Sequence, residues 1–212
     1  MVIAIDGPAG AGKSTVARAT AEALGLTYLD SGAMYRCVAL AAMRRGADLD
    51  DPVAVGRIAA AARIELDHGR VELDGEDVAE AIRSPGVSAA ASRVSVHPAA
   101  RQAMVARQRE LIAGADYVAE GRDIGTVVSP EAPLKIFLTA ADAERARRRA
   151  GDTGEDADRV LAAQADRDAR DRGHSHGALR VAGDAVELDT TDLGVDQVVA
   201  RIVDLARERG LA

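Results

Sequence analysis

Residues 7 to 14, Gly-Pro-Ala-Gly-Ala-Gly-Lys-Ser, fit the pattern G-x-x-x-x-G-K-[ST], and they leave the chain few ways to fold. Ahead of them Val2–Ile5 is a short apolar run ending at Asp6, as expected of a buried parallel strand. Behind them residues 14–24 carry a helical pattern that stops at Gly25. Strand, glycine-rich turn and helix in that order make an anion cradle. The glycines let backbone N–H groups turn inward, and the helix directs its positive dipole end at the same point. Gly7, Pro8, Ala9, Gly10, Ala11, Gly12, Lys13, Ser14 and Thr15 are therefore expected to hold the phosphates of a nucleoside triphosphate. Lys13 is expected to be catalytic, reaching the β- and γ-oxygens, and Ser14 to ligate Mg²⁺. A glycine-rich turn that matches by chance is the alternative, and the flanking strand and helix count against it.

The rest of the chain alternates strand and helix. Strands are expected at Thr27–Leu29, Asp116–Ala119, Leu134–Leu138 and Ala185–Leu188, and helices at 34–45, 98–113, 140–149 and from Val195 onward. Such a rhythm predicts an α/β fold of the P-loop NTPase type, a five-stranded parallel sheet with helices on both faces. One stretch breaks the rhythm. Arg63–Leu66 and Arg70–Leu73 alternate polar and apolar residues around Asp67-His68-Gly69, as a β-hairpin does. The expectation is one domain over 1–212, with a core of 1–49, 96–149 and 178–212 and a small insert at about 50–95. The polar segment at about 150–177 is expected to be a mobile lid, with a solvated helix pair as the alternative.

Composition narrows the partners. A net charge of −7 argues against a nonspecific nucleic-acid binder, and one Phe, three Tyr and no Trp leave few stacking platforms. No apolar run reaches the length that spans a bilayer, so no membrane association is expected. The start MVIAIDGPAG lacks a basic leader, and Cys37 is the single cysteine; both point to the cytoplasm. His174-x-His176 lacks further ligands for a metal and is expected in a solvated loop.

The loop alone does not identify the acceptor, because GTPases, transport ATPases and small-molecule kinases share it. The chain is short for a motor and has no N-K-x-D after an apolar strand. Two further segments, Asp30-Ser31-Gly32-Ala33-Met34-Tyr35-Arg36 and Glu120-Gly121-Arg122-Asp123, come after expected strands, and ligands sit at the carboxyl ends of strands in open parallel sheets. Arginine forks there match phosphate oxygens. Each could instead be ordinary, Arg36 as a surface arginine and Arg122-Asp123 as a local ion pair.

Taken together, IDGPAGAGKST, LDSGAMYR, LDGEDV, IRSP, VSAAASRVSVHPAAR, VAEGRDIGTVV, LKIFL and RDARDR closely resemble the bacterial cytidylate kinases over essentially the whole length. That resemblance implies ATP-dependent phosphorylation of CMP and dCMP by a monomer, with Mg²⁺. It implies Ser31, Tyr35 and Arg36 at the monophosphate, and Ser92 and Arg101 at the cytosine and acceptor phosphate. It further implies Arg122 on that phosphate, Asp123 toward the base, Arg167 on the phosphates and Asp171 on the ribose hydroxyl, with Arg122 and Arg167 catalytic alongside Lys13. The family has a further arginine three residues after the lid aspartate, where this chain has His174. Shikimate-type or adenylate-type kinases, and a nucleotide switch without an acceptor, are the competing expectations.

Overall fold

The computed structural model describes residues 1–67, 69–154, 156–173 and 179–211, without the side chains of Asp67, Asp152, Thr153, Arg167 and Arg172. His174 and His176 lie outside the described residues, and so does the side chain of Arg167. In chain order the first elements are β1 (Val2–Asp6), α1 (Lys13–Leu24), β2 (Thr27–Asp30), α2 (Ser31–Arg44), α3 (Pro52–Ala61), β3 (Ile64–Asp67), β4 (Arg70–Leu73) and β5 (Glu76–Asp77). After them come α4 (Pro85–Val94), α5 (Pro98–Ile112), β6 (Tyr117–Gly121), β7 (Leu134–Thr139), α6 (Asp142–Thr153), α7 (Ala157–Gly173), β8 (Val186–Asp189) and α8 (Val195–Glu208). A 3-10 turn at Ala81–Arg83 and a π-helical turn at Ile124–Val128 interrupt the connections.

The chain forms two compact units, Met1–Leu29 with Gly114–Ala212, and Asp30–Ala113. The first holds the parallel sheet, in the order β2-β6-β1-β7-β8. Every residue of central β1 is buried, so both sheet faces are covered there. Ile3 pairs with Val118 on one side and Leu134 on the other, and Ile5 and Ile136 lie side by side. These aliphatics pack with Val16, Ala17 and Ala21 of α1 and Val198, Ile202 and Ala206 of α8. Burying such a side chain contributes about 1.5–3 kcal/mol, so an aliphatic core suffices with a single phenylalanine. The sequence expectation of an α/β P-loop NTPase-type sheet is met. The segments leaving the strands gather on one rim: the phosphate loop after β1, Arg122 onward after β6, α6 after β7, and residues 190–194 after β8.

The second unit contains the expected hairpin, with Ile64 opposite Leu73 and Leu66 opposite Val71, and β5 adds a third antiparallel strand. It also contains two helices, on either side of the hairpin, that the sequence reading did not expect. α3 starts at Pro52 with Asp51 accepting from the Val53 and Ala54 N–H groups, and α4 starts at Pro85 with Ser84 accepting from Val87. Proline in the first turn and a polar cap before it suit a helix start, because those N–H groups have no helical acceptor. α3 packs on α5 and α2 on α4. The expected insert at 50–95 lies within this unit, which also takes in α2 and α5.

Candidate active site

A loop whose amides face an anion must turn its carbonyls the other way, and those carbonyls need donors. Three cations supply them here. Arg122 Nη1 donates to the Gly7 carbonyl at 2.9 Å, Lys13 Nζ to Pro8 at 2.8 Å, and Arg145 Nη1 to Ala9 at 2.8 Å. Backbone approach is close at Gly7, where a Cβ would lie 2.2 Å from the Leu138 carbonyl oxygen, so no other residue fits. Arg122 also donates through Nε to Asp171 of α7 at 2.8 Å. The first unit thus brings Lys13, Arg122 and Asp171 to the loop, and Arg167 lies on α7 one turn before Asp171.

Asp123 is buried, and its carbonyl accepts from Val127 and Val128. The turn it opens is set by Asp6, whose carboxylate accepts from the Ile124 and Gly125 N–H groups, both at 2.8 Å. Burial lifts the Asp6 carboxyl to about 6, with the Asp123 charge adding to the rise; the two N–H groups and Lys13 oppose it. Glu120 accepts a hydrogen bond from the Tyr28 hydroxyl, and the Arg18 guanidinium lies 5.1 Å from the centre of the Tyr28 ring.

Below the loop opens a cleft of about 720 Å³, lined among others by Lys13, Ser14, Arg147, Arg148, Thr191 and Val195. Its arginines are held in place. Arg148 spans Glu144 (Nε, 2.7 Å), the Thr190 hydroxyl (2.9 Å) and the Thr190 carbonyl (2.6 Å). Arg147 and Arg148 together hold the Glu144 carboxyl down at about 2. Backbone amides, an ammonium group and several guanidinium groups around one cleft suit a polyphosphate.

The second unit places Ser31, Tyr35, Arg36, Ser92 and Arg101. Ser31 opens α2 and is buried, as is Ser92 on α4. Asp30 does two jobs, accepting from the Ala33 N–H at 2.8 Å as the helix cap and from Arg36 Nη2 at 2.7 Å. The Arg101 guanidinium lies 5.9 Å from the centre of the Tyr35 ring, and its Nη1 donates to the Ser95 carbonyl at 3.3 Å. Tyr35 and Arg101 are thus neighbours. Burial pushes the Cys37 thiol up to about 12, which makes it a packing residue.

Sequence reasoning missed Asp6, Arg145, Arg148, Asp168 and Thr190. Asp6 had a signal, a carboxylate closing an otherwise apolar strand. The others make contacts that only the folded chain creates.

A family model described as cytidylate kinase matches residues 3–208. The chain is 50% identical to a cytidylate kinase of Solibacter usitatus (strain Ellin6076) over 216 residues, covering 99% of this chain and 93% of that one. It is 49% identical to a cytidylate kinase of Mycobacterium avium (strain 104), covering 99% and 96%. Among solved structures, a gluconokinase from Sinorhizobium meliloti 1021 superposes with a TM-score of 0.53 at 18% identity, over 99% of this chain and 93% of that one, a likeness of fold.

Proposed function

This chain belongs to the cytidylate kinase family, and on that premise we propose that it transfers the γ-phosphoryl group of ATP directly, in line, to the α-phosphate of CMP or dCMP. The products are ADP and CDP or dCDP. An oxygen of the acceptor phosphate forms the new P–O bond as the bond to the β-phosphate bridging oxygen breaks, so no enzyme nucleophile is required. The observation that supports this most is the loop with Lys13, Arg122 and Arg145 on three successive outward carbonyls. Carbonyls held outward by cations leave the loop amides free to face a polyphosphate, the preorganised donor set that phosphoryl transfer uses.

Lys13 then exchanges the Pro8 carbonyl for the β- and γ-oxygens, and the N–H groups of residues 7–15 other than Pro8 hold the triphosphate. We assign Ser31, Tyr35, Arg36, Ser92, Arg101, Arg122, Asp123, Arg167 and Asp171 to the acceptor nucleotide. Arginine forks would take its phosphate, Asp123 the exocyclic amine of the base and Asp171 the ribose. Mg²⁺ fits this setting, because it accepts one or two protein oxygens and completes its shell with phosphates and water. Ser14, exposed on the cleft, offers such an oxygen. When bound, the ion neutralises charge on the β- and γ-phosphates. Among the described residues no helix is long and apolar enough to cross a membrane. We take the enzyme to be a cytoplasmic monomer acting on free nucleotides.

The test is a coupled assay with MgATP against CMP, dCMP, UMP, AMP and shikimate. CMP and dCMP should be the preferred acceptors. Lys13→Ala and Arg36→Ala should each lose about 10²-fold or more in turnover while the unfolding midpoint stays near that of the unsubstituted protein. Preference for AMP or shikimate, ATP turnover that ignores CMP, or near-normal rates in both variants would defeat the proposal.

A further inference from the structure

We infer that Arg145 and Asp168 are positioning residues that aim the Gly10 N–H of the phosphate loop from the helix carrying Asp171. The inference rests on the phosphoryl transfer proposed above. A trans peptide unit is planar, with its C=O and the next residue's N–H pointing opposite ways. No cis bond occurs among the described residues. Whatever holds the Ala9 carbonyl outward therefore turns the Gly10 N–H inward. The three cations differ on this point. Arg122 holds Gly7, but the next residue is Pro8, which has no N–H to aim. Lys13 holds Pro8, yet the mechanism calls it away to the phosphates. Arg145 alone of the three aims a donor and stays in place.

Asp168 keeps it there. Arg145 Nη2 donates to Asp168 Oδ2 at 2.7 Å and to Asp142 Oδ1 at 2.7 Å, and both Arg145 and Asp168 are 3% exposed. The fit to the loop is tight, because a Cβ at Gly10 would lie 2.7 Å from the Arg145 carbonyl oxygen and 2.8 Å from Gln164 Nε2. Stability does not account for this cluster. Buried ion pairs seldom outperform apolar residues of the same volume. This one also leaves Arg145 Nε, Asp168 Oδ1 and Gln164 Oε1 without hydrogen-bond partners among the described residues. Such a cost is tolerated where location matters. Asp168 and Asp171 stand three apart on one helix, which puts them on a shared face. Each holds an arginine, and each arginine holds a loop carbonyl. Loop geometry and α7 are thereby one construction.

The experiment compares Asp168→Asn, Arg145→Lys, their double variant and the surface control Asp166→Asn on the same helix. Well below each variant's unfolding temperature, Asp168→Asn and Arg145→Lys should lose about tenfold or more in kcat, as small misplacements of catalytic groups do. KM for CMP should stay within about twofold, and Asp166→Asn should match the unsubstituted protein. The double variant should be no slower than the slower single one. In the ADP complex, the Gly10 amide resonance should move in Asp168→Asn while that of Gly12 stays. Unchanged kcat in the two single variants, or a Gly10 resonance that does not move, would overturn the inference. Absence of CMP phosphorylation by the unsubstituted protein would instead refute the proposed function, and the Gly10 resonance in the ADP complex would still decide the positioning role.

Discussion

Asp6 is a carboxylate at the end of an otherwise apolar strand, held by two amides that lie 118 and 119 positions along the chain. Its folded-state pKa of about 6 lies above the ordinary 3.8, so between those values the folded protein binds more protons than the unfolded one. Its contribution to stability therefore falls as pH rises from about 4 to 6, by on the order of 2–3 kcal/mol. Asp6→Asn removes that titration. Measured by urea unfolding, the stability of the variant relative to the unsubstituted protein should rise by about that amount from pH 4 to pH 7. A pH-independent difference would mean that the carboxyl titrates normally. Residues of this kind set the limit of what a sequence discloses. Lys13 and Ser14 announce themselves through their spacing from Gly7 and Gly12. Asp6 is marked only as the carboxylate that closes an apolar strand, Arg145 and Asp168 not at all, and the partners of all three reach them through strand order and helix docking.

At the scale of elements, Asp30 shows cap and charge separately. It accepts from the Ala33 N–H and from Arg36, so α2 begins at Ser31, three residues before the apolar pattern suggests. Asp30→Ala should lower stability by about 1 kcal/mol, and Asp30→Asn, which keeps an acceptor, should recover most of it. Chemical denaturation reads both; equal losses would assign the effect to the ion pair with Arg36. β1, β6 and β7 were legible because buried parallel strands are short apolar runs. α3 and α4 flank the hairpin and were not read from the sequence, although Asp51-Pro52 and Ser84-Pro85 carry helix-start chemistry. The two residues of β5 are too few to show a period. The π-helical turn at Ile124–Val128 has no local signal, because its first two amides are satisfied by Asp6 from another strand.

For the molecule as a whole, a net charge of −7 sets it against ligands that are themselves polyanions. The local field around the loop has to outweigh the global one, and guanidinium groups supply it beside the one ammonium group of Lys13. The chain has two lysines, Lys13 and Lys135, at 8% and 7% exposure, and Lys135 is bound to Asp184 and the Pro130 carbonyl. Acylation by an amine-directed reagent, read by mass spectrometry, should therefore be slow at both in the native protein. MgATP should slow it further at Lys13 and leave Lys135 unchanged. Equal protection at both, or at neither, would separate Lys13 from the phosphates. The number of lysines is plain in the sequence, but their burial is not, because it depends on how the strands and the loop close around them.

The pairing of Arg122 with Asp171 has one more consequence. On the proposed assignment of Arg122 to the acceptor phosphate, the Asp171 carboxylate competes for the same guanidinium, an intramolecular rival present at a fixed effective concentration. Apparent affinity for the acceptor would then record eviction as well as embrace.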